Sequence, residues 1–197
     1  MKSKKFSTGL IIVAVIVVLI GAMVMSYNSL VERKQTTEQA WAEVQNQYQR
    51  RSDLIPNLVN TVKGYAKHES STFEAVTEAR AKVGSINISA DNLTPENLEK
   101  YQQAQNELTS ALKSLLAVSE AYPELKANQT FLDLQTQLEG TENRVATARS
   151  RYTKTVQQYN TAIRKFPVVI YASWFGFSER PQFAATESAQ AAPEVNF

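Results

Sequence analysis

The chain has no cysteine, which removes disulfides, thiolate metal sites and cysteine nucleophiles together. Its only histidine is His68. No second imidazole and no His-Glu-x-x-His pair occurs. The position three before the histidine, where a di-iron bundle carries a glutamate, is Tyr65. Lys67-His68-Glu69 therefore reads as a helix surface. No glycine-rich phosphate loop occurs, and Ser70 and Ser71 have no base near them in sequence. No metal, no cofactor and no catalytic role are expected. Glycine is scarce as well, with four residues after position 26. Together with abundant glutamine, this is the composition of helices and not of a sheet. A basic excess is also missing where it would matter. The first 26 residues hold three lysines and no acid, so the remainder carries 18 basic against 19 acidic residues, a net of −1. No basic face for nucleic acid follows from such a balance.

What is present is a long apolar run. Gly9 to Met25 is seventeen residues without a polar side chain. With Phe6, Ser7 and Thr8 the stretch reaches 20 residues, which as a helix spans about 30 Å, the hydrocarbon thickness of a bilayer. In lipid only a helix satisfies its own backbone, so the run is predicted helical despite its β-branched residues. Lys2, Lys4 and Lys5 precede it; this excess holds the N-terminus in the cytoplasm and exports the remainder. The competing reading is a cleaved signal peptide. Against it stand the length of the apolar core and the weak small-x-small site at Val24-Met25-Ser26.

Five segments follow. Residues 1–8 are a basic cytoplasmic leader, 9–26 the membrane helix, 27–167 an antiparallel helical bundle, 168–177 an apolar aromatic segment and 178–197 a disordered tail. The fold class is all-α, with the membrane helix leading into a long four-helix bundle. Its first helix shows Leu30, Thr37, Trp41, Val44 and Tyr48 on one face. At Arg51-Ser52-Asp53-Leu54-Ile55-Pro56 two readings compete. Asp53 as an N-cap with Pro56 in a first turn gives a reversal; a kinked continuous rod also fits, since Ile55, Leu58, Val62 and Tyr65 keep the same phase. Nearly matched lengths of roughly 40–45 Å for the first three helices outside the membrane suit an up-down bundle and favour the reversal, with a second helix from Leu54 to Val83 ending at Gly84. Thr94-Pro95-Glu96 starts a third helix that runs to about Ala121. A fourth runs from Glu124 to Lys165, overhangs its neighbours by roughly 20 Å, and so invites an intermolecular partner.

Two sets of residues are candidate sites. Glu142 interrupts the apolar stripe of the fourth helix, and Arg51 stands where the first helix's stripe runs out; a carboxylate there needs a partner, which is Arg51 or Arg50, or the N–H groups of a turn around Leu54. Arg51, Asp53, Pro56 and Glu142 are thus expected to set helix register, with a solvated rim as the competing role for Glu142. Tyr171, Trp174, Phe175 and Phe177 lie in a segment too short to span a bilayer. It either caps the bundle or rests at the lipid headgroups, where Trp and Tyr are favoured.

Several strings then resemble the LemA family: Tyr27-Asn28-Ser29-Leu30-Val31, Arg51-Ser52-Asp53-Leu54-Ile55-Pro56-Asn57-Leu58-Val59 and Val62-Lys63-Gly64-Tyr65-Ala66. Ala121-Tyr122-Pro123-Glu124-Leu125-Lys126-Ala127-Asn128, Glu142-Asn143-Arg144 and Tyr159-Asn160 before Phe166-Pro167 join them. The resemblance implies a bacterial single-pass membrane protein with an antiparallel bundle, and it brings no catalytic site. One branch of the family is associated with making magnetosome membranes, which implies a role in organising or shaping membrane. The expected partners are membrane lipid and further copies of the chain in the inner membrane. The alternative is an adaptor for an envelope enzyme such as a membrane protease.

Overall fold

The computed structural model describes residues 2–90 and 92–183. Among them there are no strands. The helices are α1 (Lys2–Tyr65), α2 (Ser70–Ser85), α3 (Pro95–Val118), the one-turn α4 (Pro123–Lys126) and α5 (Gln129–Arg164), with 3-10 turns at Ser119–Ala121, Val168–Ile170 and Ser173–Phe175. The chain is all-α, an apolar N-terminal helix followed by a helical bundle. Two compact units partition the described residues: one joins residues 2–39 to Thr155–Arg180, the other comprises Ala40–Lys154 and residues 181–183.

In the unit built on Ala40–Lys154 the chain runs up, down, up and down. Arg80 of α2 meets Ser52 and Lys63 meets Phe73, so α2 is antiparallel to α1. Trp41 meets Tyr101, and Arg51 meets Gln105 and Thr109, so α3 returns parallel to α1. Trp41 with Tyr152, Arg51 with Glu142 and Tyr65 with Asn128 run α5 step for step against α1. The core between them is mostly aliphatic: Ile55, Leu58, Val62, Val76, Leu108, Leu112, Leu115 and Leu138 are all buried, with Phe73 and Phe131 among them.

The reversal favoured at Ser52–Leu54 does not occur. Helix α1 passes unbroken through Pro56, and Asp53 is an exposed interior residue that accepts from Gln49 Nε2 at 2.7 Å instead of capping a helix. Two things offset the proline. Ile55, Leu58, Val59 and Val62 continue the buried face begun by Val44 and Tyr48, so ending the helix would forfeit that burial. And Pro56, lacking an N–H, leaves the carbonyl of Ser52 without its helical donor, where Arg80 Nε of α2 supplies one at 3.2 Å. The chain turns later, at Ala66–Glu69, after Gly64 and before the Ser70-Ser71-Thr72 cluster. His68 is exposed on that corner and not on a helix surface.

Replacing Arg80 by methionine is expected to cost about 1 kcal/mol, the usual range for a lost hydrogen bond to a carbonyl. The same change made beside Pro56→Ala should cost almost nothing, because the alanine N–H takes the carbonyl. Thermal unfolding of the four forms gives the cycle; equal costs in both backgrounds would remove the Arg80–Ser52 link.

Thr94 caps α3 by accepting from Asn97 N at 3.2 Å, with Pro95 in the first turn. The single helix expected from Glu124 to Lys165 is divided. Helix α4 stops at Lys126, and α5 starts afresh with Asn128 Oδ1 accepting from Phe131 N at 3.0 Å. Gly140 leaves α5 uninterrupted.

In the other unit, α1 presents Gly9–Ile20 with every side chain exposed, and this is the one helix among the described residues long and apolar enough to cross a membrane. Beyond it the last turns of α5 are covered. Tyr159 and Ile163 pack with Leu30, Ala172 and Phe177, and Val156 is also buried. The end of α5, expected to need an outside partner, is therefore covered within the chain by Leu30 and the residues that follow α5.

Candidate functional site: an apolar foot and a buried arginine layer

Residues 166–177 follow α5, which ends before the Phe166–Pro167 pair because the residue preceding proline is pushed out of the helical region. The two 3-10 turns are closed by Gly176 at φ 76°, the left-handed conformation that glycine adopts freely. There Gly176 N donates to Ser173 O at 3.1 Å and Phe177 N to Ala172 O at 3.0 Å. This closure sorts the side chains. Tyr171, Ala172 and Phe177 turn inward and are buried; Phe166, Val169, Ile170, Trp174 and Phe175 face out, Trp174 at 77 % exposure and Phe166 at 80 %. Of the four aromatic residues proposed for a membrane interface, Trp174 and Phe175 are thus at the surface, while Tyr171 and Phe177 are packed inside the cap.

The foot meets α1 at Tyr27 as well as at Leu30. The Tyr27 ring stands edge-on to Phe175 at 5.3 Å and to Phe177 at 5.5 Å. Tyr27 lies two residues after Met25, about 3 Å farther along the helix axis.

The segment from Glu179 on, expected to be disordered, is held as far as Phe183; the remainder of that tail, 184–197, lies outside the described residues. Asn160 Nδ2 donates to Arg180 O at 2.8 Å, and Arg180 N donates to Asn160 Oδ1 at 3.0 Å, so one side chain pairs with the backbone as a neighbouring strand would. Arg180 Nη2 reaches Glu38 at 3.2 Å, and the Arg164 fork grips the Glu179 carboxylate, Nε to Oε1 at 2.6 Å. Those hydrogen bonds hold the Glu179 carboxyl below its ordinary range. In the other unit, Phe183 packs on Trp41 and Tyr152 under the Arg149 guanidinium, 4.3 Å from the ring centre. Tyr152 donates its hydroxyl proton to Pro181 O at 2.9 Å. The signal in the sequence was the polar pair Asn160 and Arg164, one turn apart beside the buried Tyr159 and Ile163.

The second site is Arg51, 2 % exposed. Its Nη1 donates to Glu142 Oε1 at 2.5 Å and to Thr109 Oγ1 at 3.0 Å, and its Nη2 reaches the side-chain and backbone oxygens of Gln105. Tyr48 lies under the guanidinium, 5.3 Å from ring centre to Cζ. The layer separates an aromatic storey (Trp41, Tyr48, Tyr101, Tyr152) from the aliphatic core below Ile55. Glu142 is 40 % exposed, so it is both Arg51's partner and a rim residue. Burial pushes the Tyr101 phenol up to about 12, and it stays protonated. Of the four register residues, Arg51 and Glu142 come together; Asp53 and Pro56 lie on exposed positions of α1.

Span, foot and bundle define a membrane-associated helical protein with one candidate membrane span. A profile of the LemA family matches residues 40–197, and the chain belongs to that family. It is 27% identical over 185 residues to magnetosome protein MamQ 2 of Paramagnetospirillum magneticum, covering 85% of this chain and 68% of the relative. Magnetosome protein MamQ of Magnetospirillum gryphiswaldense is 26% identical over the same shares. Protein LemA of Metamycoplasma hominis is 24% identical over 147 residues, 75% of this chain and 60% of the relative.

Proposed function

We propose that this protein is a non-catalytic scaffold of the bacterial inner membrane, held by one span and resting its foot on the outer surface of the bilayer to organise or shape it. The three lysines before the span put the N-terminus in the cytoplasm and the bundle outside. The observation that carries the reading is the contact of Phe175 with Tyr27, which aligns the exposed apolar side chains of 166–175 with the level at which α1 leaves lipid. The relatives named as magnetosome proteins support the reading. A single chain of 22.0 kDa touches few lipids, so the scaffold entails self-assembly.

The competing role is adaptor for an envelope enzyme. It is favoured by a groove of about 700 Å³ beside Lys63, Phe73 and Thr77 on the α1–α2 hairpin, distant in sequence from the foot. The mass of the detergent-solubilised particle separates the two. A uniform homo-oligomer is the scaffold's expected result; a single chain that co-purifies with a different protein supports the adaptor and removes the scaffold.

A further inference from the structure

Directly beyond the span, between α1 and the end of α5, lies a groove of about 500 Å³. We infer that it is a binding site for the headgroup of an anionic glycerophospholipid, an inference that rests on the membrane-facing reading of this end of the chain. Ser26, Ser29 and Arg33 line it from α1 at helical spacing, Thr161 and Lys165 from the α5 side, and Phe166 borders it. Two cations and several hydroxyls contribute, and no carboxylate lines this groove; Glu32 lies in the adjoining one. Arg33 and Lys165 make no ion pair among the described residues. That set suits a phosphodiester: cations neutralise it, hydroxyls donate to its oxygens, and Phe166, 80 % exposed, borders the path of the acyl chains.

The level also fits. Ser26 directly follows the apolar run. Arg33 is about 10 Å farther along the axis, but side chains on a helix tilt back toward its N-terminus, which here points to the bilayer. A long guanidinium stem therefore lowers its charge toward the phosphates, as basic side chains do near helix ends. A free anion offers the same charge but neither the acyl chains beside Phe166 nor the tether that keeps a headgroup at this height. The occupant is thus the lipid.

The test uses the full chain in detergent, with phosphatidylglycerol or phosphatidylcholine added and the retained lipid counted by native mass spectrometry. Wild type is expected to keep phosphatidylglycerol in preference to phosphatidylcholine. The double variant Arg33→Gln, Lys165→Gln should bind it about thirtyfold more weakly, the combined worth of two cations at an anionic surface. Lys67→Gln with Lys113→Gln removes the same charge from exposed positions elsewhere and should leave retention unchanged. Equal weakening by both pairs overturns the site, as does equal retention of the two lipids. Displacement by inorganic phosphate at the lipid's own concentration assigns the groove to free anions and overturns the lipid. None of these outcomes alters the particle mass or the depth of Trp174, so failure here is distinguishable from failure of the scaffold.

Discussion

Arg51→Ala is expected to be the most damaging single substitution in the bundle, at about 3–5 kcal/mol, the range for breaking a buried charge network from one side. The side chain is buried between three helices, and its removal leaves Gln105 and Thr109 facing a cavity. Thermal unfolding of the full chain in detergent should show a fall in midpoint on the order of 10 °C. Glu142→Gln should cost far less, about 1 kcal/mol, because an amide oxygen still accepts and the position is solvated. Replacing the layer together, with methionine at 51 and leucine at 105 and 142, should recover most of the stability, since apolar packing substitutes well for buried ion pairs. What such a bundle loses is the polar layer that fits in one register only, and exchange-broadened spectra of the Tyr48 and Tyr101 rings would report it. If Arg51→Ala melts with the wild type, the layer does not hold the helices.

The second large effect is expected at the foot. Phe166, Val169 and Ile170 are all more than half exposed, so changing them together to serine leaves the cap beneath intact. In a bilayer each gives up about 1 kcal/mol of interfacial burial. The docked foot should therefore become about a hundredfold less populated against the undocked one. Trp174 reports this directly: its emission should move toward that of a hydrated indole in the triple variant, in vesicles only. An unchanged spectrum would mean that these side chains do not meet lipid.

The all-α class and the anchor were legible because they rest on long-range periodicity and on an uninterrupted apolar run, signals that no single residue can spoil. Arg51 and Glu142 were legible as a pair because each breaks an apolar stripe, and a charge on a stripe demands a partner. The misplaced turn has the opposite cause. Asp53 and Pro56 are strong local stop signals, but the helix runs through them because Ile55, Leu58, Val59 and Val62 stay buried and Arg80, 28 positions from Ser52, offers its N–H to the abandoned carbonyl. The true corner carries weaker signals, Gly64 and three hydroxyl residues from Ser70. Moving the turn lengthens α1 past Ser52, and the added residues run along the first half of α5, Tyr65 reaching Asn128. The division of the foot into buried Tyr171 and Phe177 and exposed Trp174 and Phe175 depends on the left-handed turn at Gly176, which composition does not reveal. The hold on Arg180 depends on one amide side chain, Asn160, reaching across from another element.

Depth-resolved quenching of Trp174 by lipids brominated along their acyl chains, on the full chain in vesicles, tests the membrane reading most directly. Trp41 is buried in the bundle, so a Trp174→Phe sample supplies the blank. Strong quenching by bromines near the headgroup end, fading toward the bilayer centre, is the predicted result. Emission at the position of a water-exposed indole, with no quenching at any depth, would contradict a foot that rests on the membrane.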